Sequence, residues 1–317
     1  MKKMFFVLSL LFALLQTGMP AQAQETYKFA DRDTCSLYLD IWRPAQDAVR
    51  SIDGKEKPAV LFVFGGGFVM GSRNDPYTSL WYQHLNAEGY PVVAIDYRLG
   101  MKGYKMKKGF KGLYESSSQF LQSQQMGVED VFSAISFLAE HREQLGIDTD
   151  NIVIAGSSAG AIISLASAYA IANGETEGLP EGFRFKGVMS FAGAIISNSG
   201  APKFKTQPCP LLLLHGTADQ AVAYRHFGAF GRGLWGSDYL AEQLQKKGWP
   251  CCIYRFKDRT HDVAAYMRFL WPVEKDFLEK CATQGLAVSI DASVDDPSLP
   301  TWSATSISLD DIYKKNR

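Results

Sequence analysis

Along the chain, short runs of apolar residues alternate with longer segments in which apolar residues recur at three- and four-residue steps. The runs Ala59 to Phe64, Val92 to Ile95, Ile152 to Ala155, Val188 to Phe191, Leu211 to Leu214 and Cys252 to Phe256 predict strands. Unbroken apolar runs suit strands covered on both faces, as in a mostly parallel sheet. Leu37 to Trp42 alternates instead and predicts a more exposed, antiparallel edge strand. Helical spacing covers Leu80 to Ala87, Val128 to Glu140, Ala159 to Ala172, Tyr239 to Lys247 and Val263 to Cys281, the last broken near Pro272. In the second of these, Val128, Val131, Phe132, Ile135 and Leu138 form one core-facing stripe.

Strands alternating with helices predict βαβ units with right-handed crossovers. The expected fold is therefore α/β, a mostly parallel, doubly wound sheet flanked by helices. At 317 residues, 46% of them hydrophobic, the chain suits one large domain better than two small ones. Two segments depart from the alternation and are candidates to border a substrate pocket. Residues 100–125 carry Lys102, Lys105, Lys107, Lys108 and Lys111 interleaved with Tyr104, Phe110 and Tyr114. Residues 225–237 carry Phe227, Phe230 and Trp235 among glycines. Both read as insertions in a domain spanning 24–283, followed by a polar tail over 284–317.

The first 23 residues read as an export signal. Lys2 and Lys3 form a basic start, Met4 to Leu15 is almost wholly apolar, and Ala21-Gln22-Ala23 supplies a small-x-small cleavage pattern before Gln24. The apolar run falls short of the ~20 residues that span a bilayer, so no stable membrane anchor is expected. A secreted or periplasmic product follows. That compartment permits disulfides, but Cys35, Cys209, Cys251, Cys252 and Cys281 are odd in number and lack metal-ligand spacing, so at least one free thiol and no metal site are expected. Adjacent Cys251 and Cys252 point to opposite faces if their run is a strand. Basic and acidic residues both number 33, which gives no reason to expect nucleic acid or an anionic membrane surface as partner.

Chemistry concentrates at Gly156-Ser157-Ser158-Ala159-Gly160, between the strand ending at Ala155 and a helix of small residues. A serine at the centre of such a strand–turn–helix sits on a sharp, strained turn, so residues two positions away on each side must be small. Glycine meets that demand twice. The helix dipole would stabilise the serine oxygen as it becomes negative. Upstream, the strand ending at Phe64 runs into Gly65-Gly66-Gly67-Phe68, where backbone N–H groups turn inward without side chains in the way. Gly66 and Gly67, with the amide of Ala159, are the candidate oxyanion donors. No Lys-Ser/Thr follows to make a nucleotide loop, and dinucleotide-binding glycine spacing is absent.

A nucleophilic serine in this setting is followed along the chain by an acid and then a histidine. His261, in the loop after the strand ending at Phe256, is the candidate base. His84 and His141 precede the serine, His215 ends a strand and is expected to shape the acid loop, and His226 lies in the aromatic insertion. Asp219 leaves the strand ending at Leu214 and is the candidate acid that orients His261. Asp258 and Asp262 compete through nearness in sequence, but Asp262 adjoins His261 and their side chains should diverge, while Asp258 has little room to reach back.

Together these segments resemble the α/β-hydrolase superfamily, and within it the esterase/lipase branch related to hormone-sensitive lipase and to bacterial carbohydrate esterases. The similarity runs from about Tyr38 to Leu278 and rests on Gly65-Gly66-Gly67-Phe68, Asp96-Tyr97-Arg98-Leu99, the turn at Ser158, His215-Gly216-Thr217-Ala218-Asp219, and His261. The resemblance implies an α/β-hydrolase fold and hydrolysis of a carboxylic ester through an acyl-enzyme, with no cofactor. Acetyl or feruloyl groups on carbohydrate are the implied substrates, with Phe68, Tyr104, Trp235 and Trp81 as candidate contacts. Lipase or short-chain esterase action on other esters, peptide cleavage by the same residues, and a non-catalytic binding role are the alternatives. Phe64 stands where the branch usually has a histidine that braces the glycine loop.

Overall fold

A computed structural model describes residues 24–106 and 109–301. The expected export signal, Lys107, Lys108 and the last 16 residues of the expected tail, 302–317, lie outside the described residues. The chain begins with β1 (Glu25–Arg32), β2 (Cys35–Trp42), a short hairpin of β3 (Ser51–Ile52) and β4 (Lys55–Glu56), and β5 (Ala59–Val63). Next come α1 (Pro76–Ala87), β6 (Val92–Ile95), α2 (Gly109–Glu140), α3 (Arg142–Leu145), β7 (Ile152–Ser157) and α4 (Ala159–Ala172). The second half holds β8 (Gly187–Phe191), β9 (Ala194–Ser197), β10 (Leu211–Gly216), β11 (His226–Ala229), β12 (Arg232–Gly236) and α5 (Ser237–Lys246). It ends with β13 (Cys252–Phe256), a 3-10 helix (His261–Arg268), α6 (Trp271–Asp276), a π-helical turn (Phe277–Thr283) and β14 (Ile290–Val294).

Nine strands form one sheet in the order β1-β2-β6-β5-β7-β8-β10-β13-β14. Pairing is parallel from β6 through β14, and β2 runs against both neighbours. Every residue of β5, β6 and β8 is buried, the reason those segments read as unbroken apolar runs. Full burial of each such Val, Leu, Ile or Phe stabilises the fold by roughly 1.5–3 kcal/mol. Helix α4 is buried along nearly its whole length, which explains why its sequence is apolar all round rather than striped. Among the described residues no helix is long and apolar enough to cross a membrane.

Two expectations need correction, and the two segments that depart from the alternation take regular structure. β2 is not the edge, because β1, whose polar Glu-Thr-Tyr-Lys start hides it as a strand, pairs outside it. Residues 100–125 run into α2, which begins at Gly109 and carries the predicted Val128 stripe on its C-terminal half. Residues 225–237 are ordered as the β11–β12 hairpin, which joins β9 in a three-stranded sheet. The region after 283 is not simply a tail, since β14 adds a parallel strand to β13, held in part by Arg255 on Asp291 at 2.8 Å.

Candidate active site

β7 ends one residue before Ser158, which has φ 52° and ψ −117° and serves as the N-cap of α4. A non-glycine residue in that region costs about 1–3 kcal/mol and persists only when its surroundings enforce it. Here the Ser158 amide donates to the Phe191 carbonyl at 2.9 Å, its carbonyl accepts from the Ile162 amide at 3.0 Å, and the Ser157 hydroxyl donates to the Ala264 carbonyl at 2.6 Å. A Cβ on Gly156 would collide with the Gly160 carbonyl, and one on Gly160 with the Val63 carbonyl. Both glycines are therefore required by close backbone approach on either side of the serine.

His261 opens the 3-10 helix after β13. Its Nε2 lies 2.8 Å from Ser158 Oγ, and its Nδ1 lies 2.7 Å from Asp219 Oδ2. A carboxylate only accepts, so Nδ1 carries the proton and Nε2 is left to accept from the Ser158 hydroxyl. Asp219 is buried, and its Oδ1 accepts from the amides of Ala221 at 2.9 Å and Val222 at 3.0 Å. Burial acts to raise the Asp219 pKa, but hydrogen bonds from His215 and His261 outweigh it and hold the carboxyl far below its usual range. His215 is wholly buried, with Nε2 3.1 Å from the Val222 carbonyl and 3.3 Å from Asp219, and Nδ1 2.8 Å from Ser237 Oγ. Of the competing acids, Asp258 is exposed, and Asp262 accepts from the Thr260 hydroxyl.

After β5 the backbone takes positive φ at Gly66, Gly67 and Phe68. A Cβ on Gly66 would strike the Met70 carbonyl, and the Gly66 carbonyl accepts from the amides of Val69 and Met70. In place of a histidine brace, the Tyr97 hydroxyl donates to the Phe64 carbonyl at 3.1 Å and the two rings pack 4.5 Å apart. Gly67 and Ala159 face the same small cavity as Ser158 and His261. Phe68 lines it, together with Phe120, Ile162, Ile196, Val222 and Leu234.

Tyr104, Trp235 and Trp81 do not line it. Trp235 is buried against the His226 ring, while Leu234, its neighbour on β12, faces the cavity, since successive residues of a strand point to opposite sides. Trp81 is buried, with its indole N–H on Glu274 Oε2 at 2.8 Å, and so has no face free for substrate. Tyr104 is half-buried against the core. Ile162 was within reach of sequence reasoning, because it lies one helical turn from Ser158. Phe120 and Leu234 were not, because tertiary packing alone brings them there. All five thiols are unpaired, and Cys251 and Cys252 are both buried.

Three comparisons extend this picture. The sequence model described as "Carboxylesterase family" matches residues 15–197, a stretch that holds the glycine loop and Ser158. A secreted lipase of Botryotinia fuckeliana is 27% identical over 174 residues, 55% of this chain and 27% of its own length. The chlorogenic acid esterase of Aspergillus niger is 28% identical over 174 residues, 54% of this chain and 28% of its own length. The chain thus matches little more than a quarter of either relative. In fold, Thermogutta terrifontis esterase 2 superposes with a TM-score of 0.56 at 21% identity, covering 81% of this chain and 94% of that one. The architecture is that of the α/β-hydrolases.

Proposed function

The chain belongs to the carboxylesterase family, and on that premise we propose that it hydrolyses carboxylic esters through an acyl-enzyme on Ser158. The observation that carries this reading is the continuous hydrogen-bonded line from Asp219 through His261 to Ser158, at 2.7 and 2.8 Å, ending at a cavity. In the first step His261 Nε2 takes the hydroxyl proton as Ser158 Oγ attacks the ester carbonyl carbon. Asp219 holds the imidazole in the required tautomer and stabilises the imidazolium. The carbonyl oxygen gains negative charge and is received by the amides of Ala159, Gly66 and Gly67, aided by the N-terminus of α4. The tetrahedral intermediate collapses as His261 returns its proton to the departing alcohol. Water, activated by the same histidine, then releases the acid.

Acetyl esters of carbohydrate and short-chain esters of other small alcohols are the substrates within this reading. Export belongs to the same proposal, supported by the basic and apolar character of the first 23 residues and by similarity to a lipase described as secreted. A serine-directed fluorophosphonate, followed by location of the adduct and a panel of acetyl, feruloyl and longer acyl esters, tests the mechanism. An adduct on Ser158 with ester turnover is expected. Absence of both from folded protein would remove the proposal, and amide cleavage without ester cleavage would replace it with a peptidase.

A further inference from the structure

The cavity beside Ser158 has two kinds of wall. Gly67, Phe68, Ala159, Ile162, Ala221 and Val222 come from the loops and helix that end the central strands. The outer wall is Phe120 from the N-terminal half of α2, Ile196 from β9 and Leu234 from β12. These outer elements are tied to each other. The Gln124 side chain bonds both backbone groups of Ile196, accepting from its amide at 2.7 Å and donating to its carbonyl at 3.1 Å. Arg232 stacks over the Tyr114 ring at 3.8 Å and donates to the hydroxyls of Ser117 at 3.2 Å and Ser118 at 3.1 Å. The wall is thus fixed from both sides.

The cavity is small, about 30 Å³. One water needs roughly 10–15 Å³ on the same measure, so the cavity takes a chain of roughly two to three carbon atoms beyond the acyl carbon. Apart from Ser158 and His261 its lining has no polar side chain. A hydroxyl or charge placed there would lose water without gaining a partner, and a feruloyl ring would not fit.

We infer that Phe120 and Leu234 are specificity-determining residues that restrict the acyl group to a short, unsubstituted aliphatic chain, from acetyl to about butyryl. This rests on Ser158 being the nucleophile, because the acyl carbon bonded to its Oγ then lies at the mouth of the cavity and the alcohol leaves on the solvent side. Both side chains are only partly buried, so trimming either opens space without removing a central part of the core.

The test compares kcat/KM for p-nitrophenyl acetate, butyrate and octanoate, and for a series of alkyl acetates of increasing alcohol length. The proteins are wild type, Phe120→Ala, Leu234→Ala and the double variant. Since one methylene in an apolar pocket changes kcat/KM by roughly 10-fold or more, the octanoate-to-acetate ratio should rise at least about 10-fold in the double variant. The alkyl acetate series should keep its wild-type order. Ala221→Leu fills the cavity from the opposite wall and should lower the butyrate-to-acetate ratio by about 10-fold, a readout that stands if the double variant does not fold. A ratio that stays fixed in all folded variants, or a change confined to the alcohol series, overturns the inference. Failure of wild type to react with the fluorophosphonate or any ester is a different result, and removes the esterase reading itself.

Discussion

The Cα of Gly160 faces the carbonyl of Val63 so closely that a methyl group there would overlap the carbonyl oxygen. The start of α4 and the end of β5 are thereby held together beside Ser158. Gly160→Ala should force them apart and lower stability by about 2–4 kcal/mol. Turnover should fall further than the loss of folded protein explains, since the Ala159 amide moves with the helix. Urea denaturation and active-site titration measure the two effects separately.

Ser158→Ala should abolish labelling and turnover without lowering stability, because alanine removes only the hydroxyl, which is hydrogen-bonded to His261. Asp219→Asn keeps an oxygen for the Ala221 and Val222 amides but presents an amide N–H where His261 needs an acceptor. Loss of the required tautomer should lower kcat about 10⁴-fold, as the same change does in a serine protease with this arrangement. Steady-state kinetics on one short ester checks both variants, and a loss of less than 10-fold in Asp219→Asn would assign the acid elsewhere.

The depressed Asp219 carboxyl also shapes acid stability. Its folded pKa lies below the unfolded value of about 3.9, so its stabilising contribution is fully present above that pH and lost as pH falls further. Asp291, held down to about 2 chiefly by its hydrogen bond from Arg255, acts in the same direction. Stability should therefore drop between about pH 4 and pH 2, less steeply in Asp219→Asn, as read by denaturation at each pH.

Glu274 behaves oppositely. Burial pushes its pKa well up, against a smaller lowering by the Trp81 indole, and its Oε1 has no hydrogen-bond partner among the described residues. A group whose pKa is raised on folding costs stability as pH rises above its unfolded value of about 4.3. Glu274→Gln should raise Tm at pH 8 by at least ~2 °C, the shift that about 1 kcal/mol makes in a large domain. The gain should vanish near pH 4, and a gain that persists there would point to packing rather than charge.

Much of the central sheet was readable because burial on both faces leaves an unbroken apolar signature, as in Val92 to Ile95. The turn at Ser158 with its flanking glycines, and the meeting of Asp219 and His261 beside it, were readable because a sharp turn and a hydrogen-bonded line of carboxylate, imidazole and hydroxyl each demand particular residue types. β1 and β14 were hidden by polar residues on the solvent side of edge strands. The cavity's outer wall was hidden for a different reason: whether Leu234 or Trp235 faces inward depends on the register of a hairpin, and a shift of one residue exchanges the two faces. The aromatic content of residues 225–237 drew attention to the right hairpin and the wrong side chain.

β14 also bears on how this chain can be handled. A recombinant version ending at 283 would strip the cover from β13 and leave its outward amides and carbonyls as a template for neighbouring molecules in concentrated solution. Clumping of such a truncated protein would then reflect a bare sheet margin, even with Asp219, His261 and Ser158 still aligned in every molecule.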